Sequence, residues 1–168
     1  MTNGSESGAG RVGIVVGSRS DIAAAERAMA VLDELEVDSE IRVISAHRAP
    51  DLLSSFIGGA EGRGIRVFIA IAGLAAHLPG VVASQTTRPV IGVPMAGGVS
   101  DGLDALLAIV QMPKGVPVAT VGVGNGENAG LLAASILAVG DPALGARLAA
   151  RRSSQAAAIA ADPANEGL

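Results

Sequence analysis

His47 and His77 are the only imidazoles in this chain of 168 residues. No other side chain present has an unperturbed pKa that lets it take and return a proton near neutrality. His47 stands in Ser45-Ala46-His47-Arg48, beside an arginine whose planar fork suits a phosphate. A single loop histidine is usually a surface residue. Here the neighbouring arginine, and the strand expected just before it, favour a general acid/base. His77 lies between Gly73-Leu74-Ala75-Ala76 and Leu78-Pro79-Gly80. Those small and apolar neighbours point to a structural imidazole bonded to the backbone of its own loop. A third polar turn, Gly17-Ser18-Arg19-Ser20-Asp21, admits two readings. Ser18 could donate to a phosphate at a helix N-terminus while Asp21 accepts from ribose hydroxyls. Equally, Ser20 or Asp21 could simply cap the helix.

Other chemistries are excluded by what is missing. The sequence has no cysteine, so disulfides, thiolate zinc sites and a cysteine nucleophile are ruled out. Two histidines without clustered carboxylates leave no expected metal site. Residues 124–129, Gly-Asn-Gly-Glu-Asn-Ala, match one form of the dinucleotide fingerprint. A nucleotide site of that kind needs a further βαβ unit and an acid about 20 residues on. Only helices and a tail follow, so the motif reads as a tight turn. The net charge of −4, with no Trp or Tyr, argues against nucleic acid as a partner. The apolar runs 67–76 and 131–139 are shorter than the roughly 20 residues of a membrane span. Residues 1–10 lack the basic and apolar regions of a signal peptide, so no membrane partner and a cytoplasmic location are expected.

The polar turns need elements to hold them, and hydrophobic spacing supplies these. A strand at 11–16 precedes the first turn, and the helix after it carries Ile22, Ala25, Met29, Leu32 and Leu35 on one face. A strand at 40–44 precedes Ser45, and Pro50 opens a helix with Leu53, Phe56, Ile57 and Ala60 on one stripe. Gly58 and Gly59 weaken that helix. A buried strand at 65–72 ends at Gly73, and a short helix starts near Pro79. Strands are expected at 89–93 and 116–121, and helices at 103–110, 128–139 and from an Asp141-Pro142 cap to about 160.

This alternation predicts an α/β fold. It is a flavodoxin-like three-layer αβα sandwich on a five-stranded parallel sheet, with a C-terminal helix extension. A single domain over 11–160 is expected between tails at 1–10 and 161–168. The composition agrees: 49% of residues are hydrophobic, yet only Phe56 and Phe68 are aromatic. Small branched side chains suit parallel strands covered on both faces. Strand ends in such sheets share one rim, so the three polar turns should converge there. The helix at 128–139 is apolar nearly all round and calls for a second covering surface, most simply another subunit.

Taken together, Gly-Ser-Arg-Ser-Asp at 17–21, Ser-Ala-His-Arg-Ala-Pro at 45–50 and Ala-Ala-His-Leu-Pro-Gly at 75–80 resemble the N5-carboxyaminoimidazole ribonucleotide mutases. So do Gly-Leu-Asp-Ala-Leu-Leu at 102–107, Ile-Val-Gln-Met-Pro at 109–113 and Asn-Ala-Gly-Leu-Leu-Ala-Ala at 128–134. The likeness runs in order over residues 11–148. It implies a homo-octamer, no metal or organic cofactor, and conversion of N5-carboxyaminoimidazole ribonucleotide to 4-carboxy-5-aminoimidazole ribonucleotide in purine biosynthesis. By matching position, Ser18, Asp21 and Arg48 would bind the ribonucleotide and His47 would be the general acid/base. Ser45, Gly73 and His77 would line the site.

The chain departs from the family pattern at two places. Leu74 stands where the pattern has glycine, which would narrow the pocket or demand a different backbone angle. Residues 95–101 differ from the longer polar loop of bacterial members. A second branch, which carboxylates aminoimidazole ribonucleotide with free CO2, has Lys after the histidine and Ser-Asn-Ala-Leu-Ser-Gly at the third motif. Arg48-Ala49-Pro50 and His77-Leu78-Pro79-Gly80 match the mutases instead. A direct carboxylase, a carboxylase of another nucleotide and a non-catalytic ribonucleotide-binding module are the competing readings. Turnover of each substrate offered separately distinguishes them.

Overall fold

The protein is described by a computed structural model covering residues 11–165. The expected tail at 1–10 lies outside the described residues, as does the end of the second at 166–168. Five strands form one parallel sheet: β1 (Arg11–Val16), β2 (Ser39–Val43), β3 (Ile65–Ala72), β4 (Val90–Pro94) and β5 (Ala119–Thr120). Their order across the sheet is β2-β1-β3-β4-β5, the flavodoxin-like order. Apart from Arg11, Gly13 and the exposed Arg66, central β1 and β3 consist of Val, Ile, Ala and Phe buried on both faces, as a helix-covered parallel sheet requires.

Six helices cover the sheet: α1 (Ile22–Glu34), α2 (Pro50–Gly58), α3 (Leu78–Ala83), α4 (Leu103–Val110), α5 (Gly126–Ala138) and α6 (Pro142–Ala160). On one face α1, α5 and the start of α6 enclose a core of Val12, Ile14, Val16, Leu32, Ile69 and Leu144. On the other, α2, α3 and α4 pack on Val15, Phe68, Ala70 and Val90. Among the described residues no helix is long and apolar enough to cross a membrane.

The structure shifts several expected boundaries, each for a local reason. Helix α2 ends at Gly58 with Gly59 as its C-cap, so the glycines terminate it rather than weaken its interior. Strand β5 is two residues long instead of six. Pro117 has no N–H to give the ladder, and β5 is an edge strand paired to β4 alone. Helix α5 starts two residues early because the Asn125 side chain accepts from the Asn128 N–H, 3.0 Å away. Gly124 lies in the tight turn that the sequence suggested, with Asn125 as the cap and Gly126 as the first residue of α5. Part of the cover that α5 requires is α6 of the same chain, tied down by Arg151, which bridges Glu34 of α1 and Glu127 of α5.

Helices α1 and α5 approach unusually closely because Ala24 and Ala28 face Gly126 and Gly130. A Cβ on Gly126 would run into the Ala24 carbonyl, and one on Gly130 would stand 2.7 Å from the Ala28 oxygen. Both obstacles are backbone and cannot turn aside. Gly130→Ala should therefore cost about 1–3 kcal/mol through overpacking, read as a lower Tm in thermal denaturation. An unchanged Tm would show that the two helices can separate freely.

Candidate active site

The carboxyl ends of β1 to β4 lie along one rim of the sheet. Between β1 and β3 the strand order reverses, and the helices that follow these two strands leave toward opposite faces. A crevice must open there. It holds a cleft of about 520 Å³, a size suited to a small molecule. Ser18 and Asp21 after β1, Ser45, His47 and Arg48 after β2, and Gly73 and His77 after β3 all line it. Every site residue expected from sequence is thus brought together. Met95 and Ala96, after β4, complete the wall. Sequence reasoning left that segment's role open; its position just beyond a strand's carboxyl end was the available signal.

Each polar turn is shaped locally. After β2, the Ala49 N–H donates to the Ser45 carbonyl at 2.9 Å and the Arg48 N–H to Ser45 Oγ at 3.3 Å. That turn presents both His47 and Arg48 to solvent. After β1, Ser18 Oγ accepts a long 3.4 Å bond from the Ser20 N–H, so it does act as a cap. Asp21 does not: its carboxylate makes no capping bond and instead accepts from Ser20 Oγ at 3.0 Å. Only 9% exposed yet lining the cleft, it keeps acceptor capacity for a ligand. The two open readings of this turn are divided between two residues.

His77 corrects the reading from its neighbours. Its imidazole does not bond its own loop; His77 Nδ1 lies 2.8 Å from His47 Nε2, with the rings edge to face. The sheet order explains the meeting. Strands β2 and β3 flank β1, so their ends stand two strand spacings apart, about 10 Å. Two inward-reaching imidazoles span that gap above the β1 turn. No periodicity in the sequence could reveal a contact that depends on which strand lies between.

The pair has a definite chemistry. With both rings neutral, one donates the shared proton and the other accepts it. When a further proton arrives, an imidazolium donates to a neutral partner. The contact survives both states, so the pair can load and unload a proton without turning a ring. His47 Nε2 is engaged, and Nδ1 is the nitrogen left for a reacting atom. Among the described residues no group of three or more His, Asp or Glu side chains is arranged to hold a metal ion.

Leu74 resolves one of the departures. It keeps a left-handed backbone with φ of +55°, and its side chain turns outward, 62% exposed, at the cleft edge. A side chain in that conformation costs roughly 1–2 kcal/mol. The surroundings hold strain where a ligand would sit.

Residues 11–158 match the family described as AIR carboxylase. The N5-carboxyaminoimidazole ribonucleotide mutase of Mycobacterium tuberculosis is 52% identical, covering 92% of this chain and 88% of its own. That of Thermotoga maritima is 55% identical over 79% of this chain and 77% of its own. The crystal structure of Treponema denticola PurE superposes with a TM-score of 0.85 at 28% identity, covering 94% of this chain and 99% of that one.

The His47–His77 bond yields a direct expectation. With both histidines in place, ring-nitrogen NMR should show one dominant neutral tautomer for His47. In His77→Phe, which keeps a ring but no acceptor, both tautomers should be populated. Identical His47 spectra in the two proteins would mean that the bond does not form in solution.

Proposed function

The chain belongs to the AIR carboxylase family, and from that premise we infer that it is an isomerase of purine biosynthesis, converting N5-carboxyaminoimidazole ribonucleotide to 4-carboxy-5-aminoimidazole ribonucleotide. The observation that carries the site assignment is the imidazole pair, set between the Ser18–Asp21 turn and Arg48 in one cleft.

The roles follow from the chemistry of each group. Arg48, exposed and without an ion pair among the described residues, offers its fork to the phosphate, and Ser18 Oγ adds a donor. Asp21 accepts from ribose hydroxyls. Ser45 shapes the turn that carries His47, and Gly73 keeps the wall thin beside the ring.

The reaction breaks the bond between the exocyclic nitrogen and the carboxylate, releasing CO2. The electron pair left on nitrogen takes a proton from the His47 imidazolium. The ring C4, now enamine-like, attacks the retained CO2 and forms the new carbon–carbon bond. The hydrogen on C4 then leaves as a proton to neutral His47, restoring the imidazolium. One proton leaves the histidine and one returns, so the sequence balances without any other acid or base. His77 holds His47 in register through both halves. The chemistry calls for neither a metal nor an organic cofactor, and we assign none.

Assembly as a homo-octamer in the cytoplasm completes the proposal. It is supported by an uncovered apolar stripe on α4, where Leu103, Leu107 and Val110 are each about half exposed at 52%, 47% and 49%. Val139, after α5, is 92% exposed. Neither feature is explained by contacts within one chain.

The purified protein, offered each substrate separately and followed by ultraviolet absorbance, should turn over N5-carboxyaminoimidazole ribonucleotide rapidly. His47→Asn should abolish that turnover while keeping most substrate affinity. Rapid turnover only of aminoimidazole ribonucleotide with bicarbonate would reverse the reading in favour of the direct carboxylase. Arg48→Ala should weaken binding by about 2 kcal/mol, the scale for losing hydrogen bonds to a charged group. Calorimetry giving the same Kd for that variant would remove Arg48 from the phosphate site.

A further inference from the structure

The segment Ile-Val-Gln-Met-Pro at 109–113 takes no part in lining the cleft. Its methionine nevertheless reaches the element that follows one of the two imidazoles. Helix α3 has six residues and begins directly after His77, whose carbonyl accepts from the Val81 N–H at 2.9 Å. So short a helix has little stability of its own, and its placement comes from packing. Leu78 and Val82 hold it to the core. Pro79 lies against Gly92 of β4, where a built Cβ would stand 3.4 Å from Pro79 Cβ. At Gly80, a built Cβ would stand 3.2 Å from Met112 Sδ and 3.4 Å from Met112 Cε. The thioether therefore takes up the room that a side chain at position 80 would need. Met112 itself is anchored. The Gln111 N–H donates to the Leu107 carbonyl at 3.2 Å and the Met112 N–H to the Val110 carbonyl at 2.9 Å. Pro113 keeps the preceding Met112 out of the helical region.

We propose that Met112 is a positioning residue for the imidazole pair: its thioether presses on the bare backbone of Gly80, fixes the first turn of α3 and so keeps His77 Nδ1 within reach of His47 Nε2. The consequence for turnover rests on the function proposed above; the effect on the two rings does not. A hydrogen bond of 2.8 Å weakens steeply as its geometry is lost. Removing the thioether opens a gap beside Gly80, into which the first turn can shift and carry His77 with it. Ser18, Asp21 and Arg48 lie on the turns after β1 and β2 and would stay in place. Met112 thus acts on proton transfer and leaves substrate affinity alone.

The test compares Met112→Ala, Met112→Leu and the double variant Gly80→Ala/Met112→Ala by ring-nitrogen NMR and steady-state kinetics. In Met112→Ala the single His47 tautomer expected of the wild-type protein should give way to a mixture, as in His77→Phe. Its kcat should fall by roughly 10- to 100-fold with KM near the wild-type value, the scale for misplacing a catalytic group by up to about 1 Å. Met112→Leu is apolar and of similar volume, and should keep the wild-type spectrum. In the double variant the new methyl fills part of the gap and should restore most of the single tautomer. A residue that merely supported the fold would lower Tm without changing the tautomers of the folded protein. Unchanged His47 spectra in folded Met112→Ala, or no recovery in the double variant, would overturn the role of Met112. So would a tautomer mixture already present in the wild-type protein. If Met112→Ala does not fold, Met112→Val, which keeps bulk at Cβ without the reach, takes its place in both comparisons. Absence of conversion by the wild-type protein, with the spectral changes present, would instead overturn the function and leave the role of Met112 standing.

Discussion

The bond between His47 and His77 exists because strands β2 and β3 lie on either side of β1 and all three run the same way. Parallel strands place their carboxyl ends on one rim, and right-handed crossovers send successive helices to opposite faces where the order reverses. The gap that results has the width of the intervening strand, and two imidazoles fill it. Everything else about the site is arranged around that bridge: a buried carboxylate below it on the β1 turn, an arginine beside it, and a wall of small residues opposite. Removing the close contact of α1 with α5 would loosen β1 first, because α1 begins directly from the turn that carries Asp21.

The economy of the chemistry suits so sparse a site. A carboxylate that moves from nitrogen to carbon on one molecule needs one proton given and one taken back, with no net change. A single imidazole can serve both halves if its orientation does not depend on its charge. A hydrogen bond to a second imidazole meets that condition, since His77 Nδ1 can accept from His47 Nε2–H whether or not His47 Nδ1 carries a proton. A carboxylate partner would instead favour the charged form and resist giving the proton up.

Much of this was legible in the sequence, and the unevenness has physical causes. The strands at 11–16 and 65–72 are mostly apolar and rich in Val and Ile, and their boundaries were read as they stand because such runs suit a doubly covered strand. The fifth strand was overread because Val116 and Val118 look like strand residues while Pro117 quietly removes a ladder bond. The convergence of Ser18, Asp21, Ser45, His47 and Arg48 followed from a general rule about strand ends. His77 was misjudged from its neighbours, since local composition cannot report a partner thirty positions away. The family resemblance had it lining the site; the structure sets it in the cleft wall beside His47, and the sheet order supplies the reason. Leu74 was identified as an oddity, but its direction, outward and toward Gly98, depends on a φ that sequence does not display.

The most direct test of the account is a crystal structure of the protein with aminoimidazole ribonucleotide bound. The account predicts the phosphate on the Ser18 and Arg48 turns and the ring C4 within about 3.5 Å of His47, the separation from which a proton can transfer. A nucleotide bound with its ring turned away from both imidazoles, or seated outside this cleft, would contradict it.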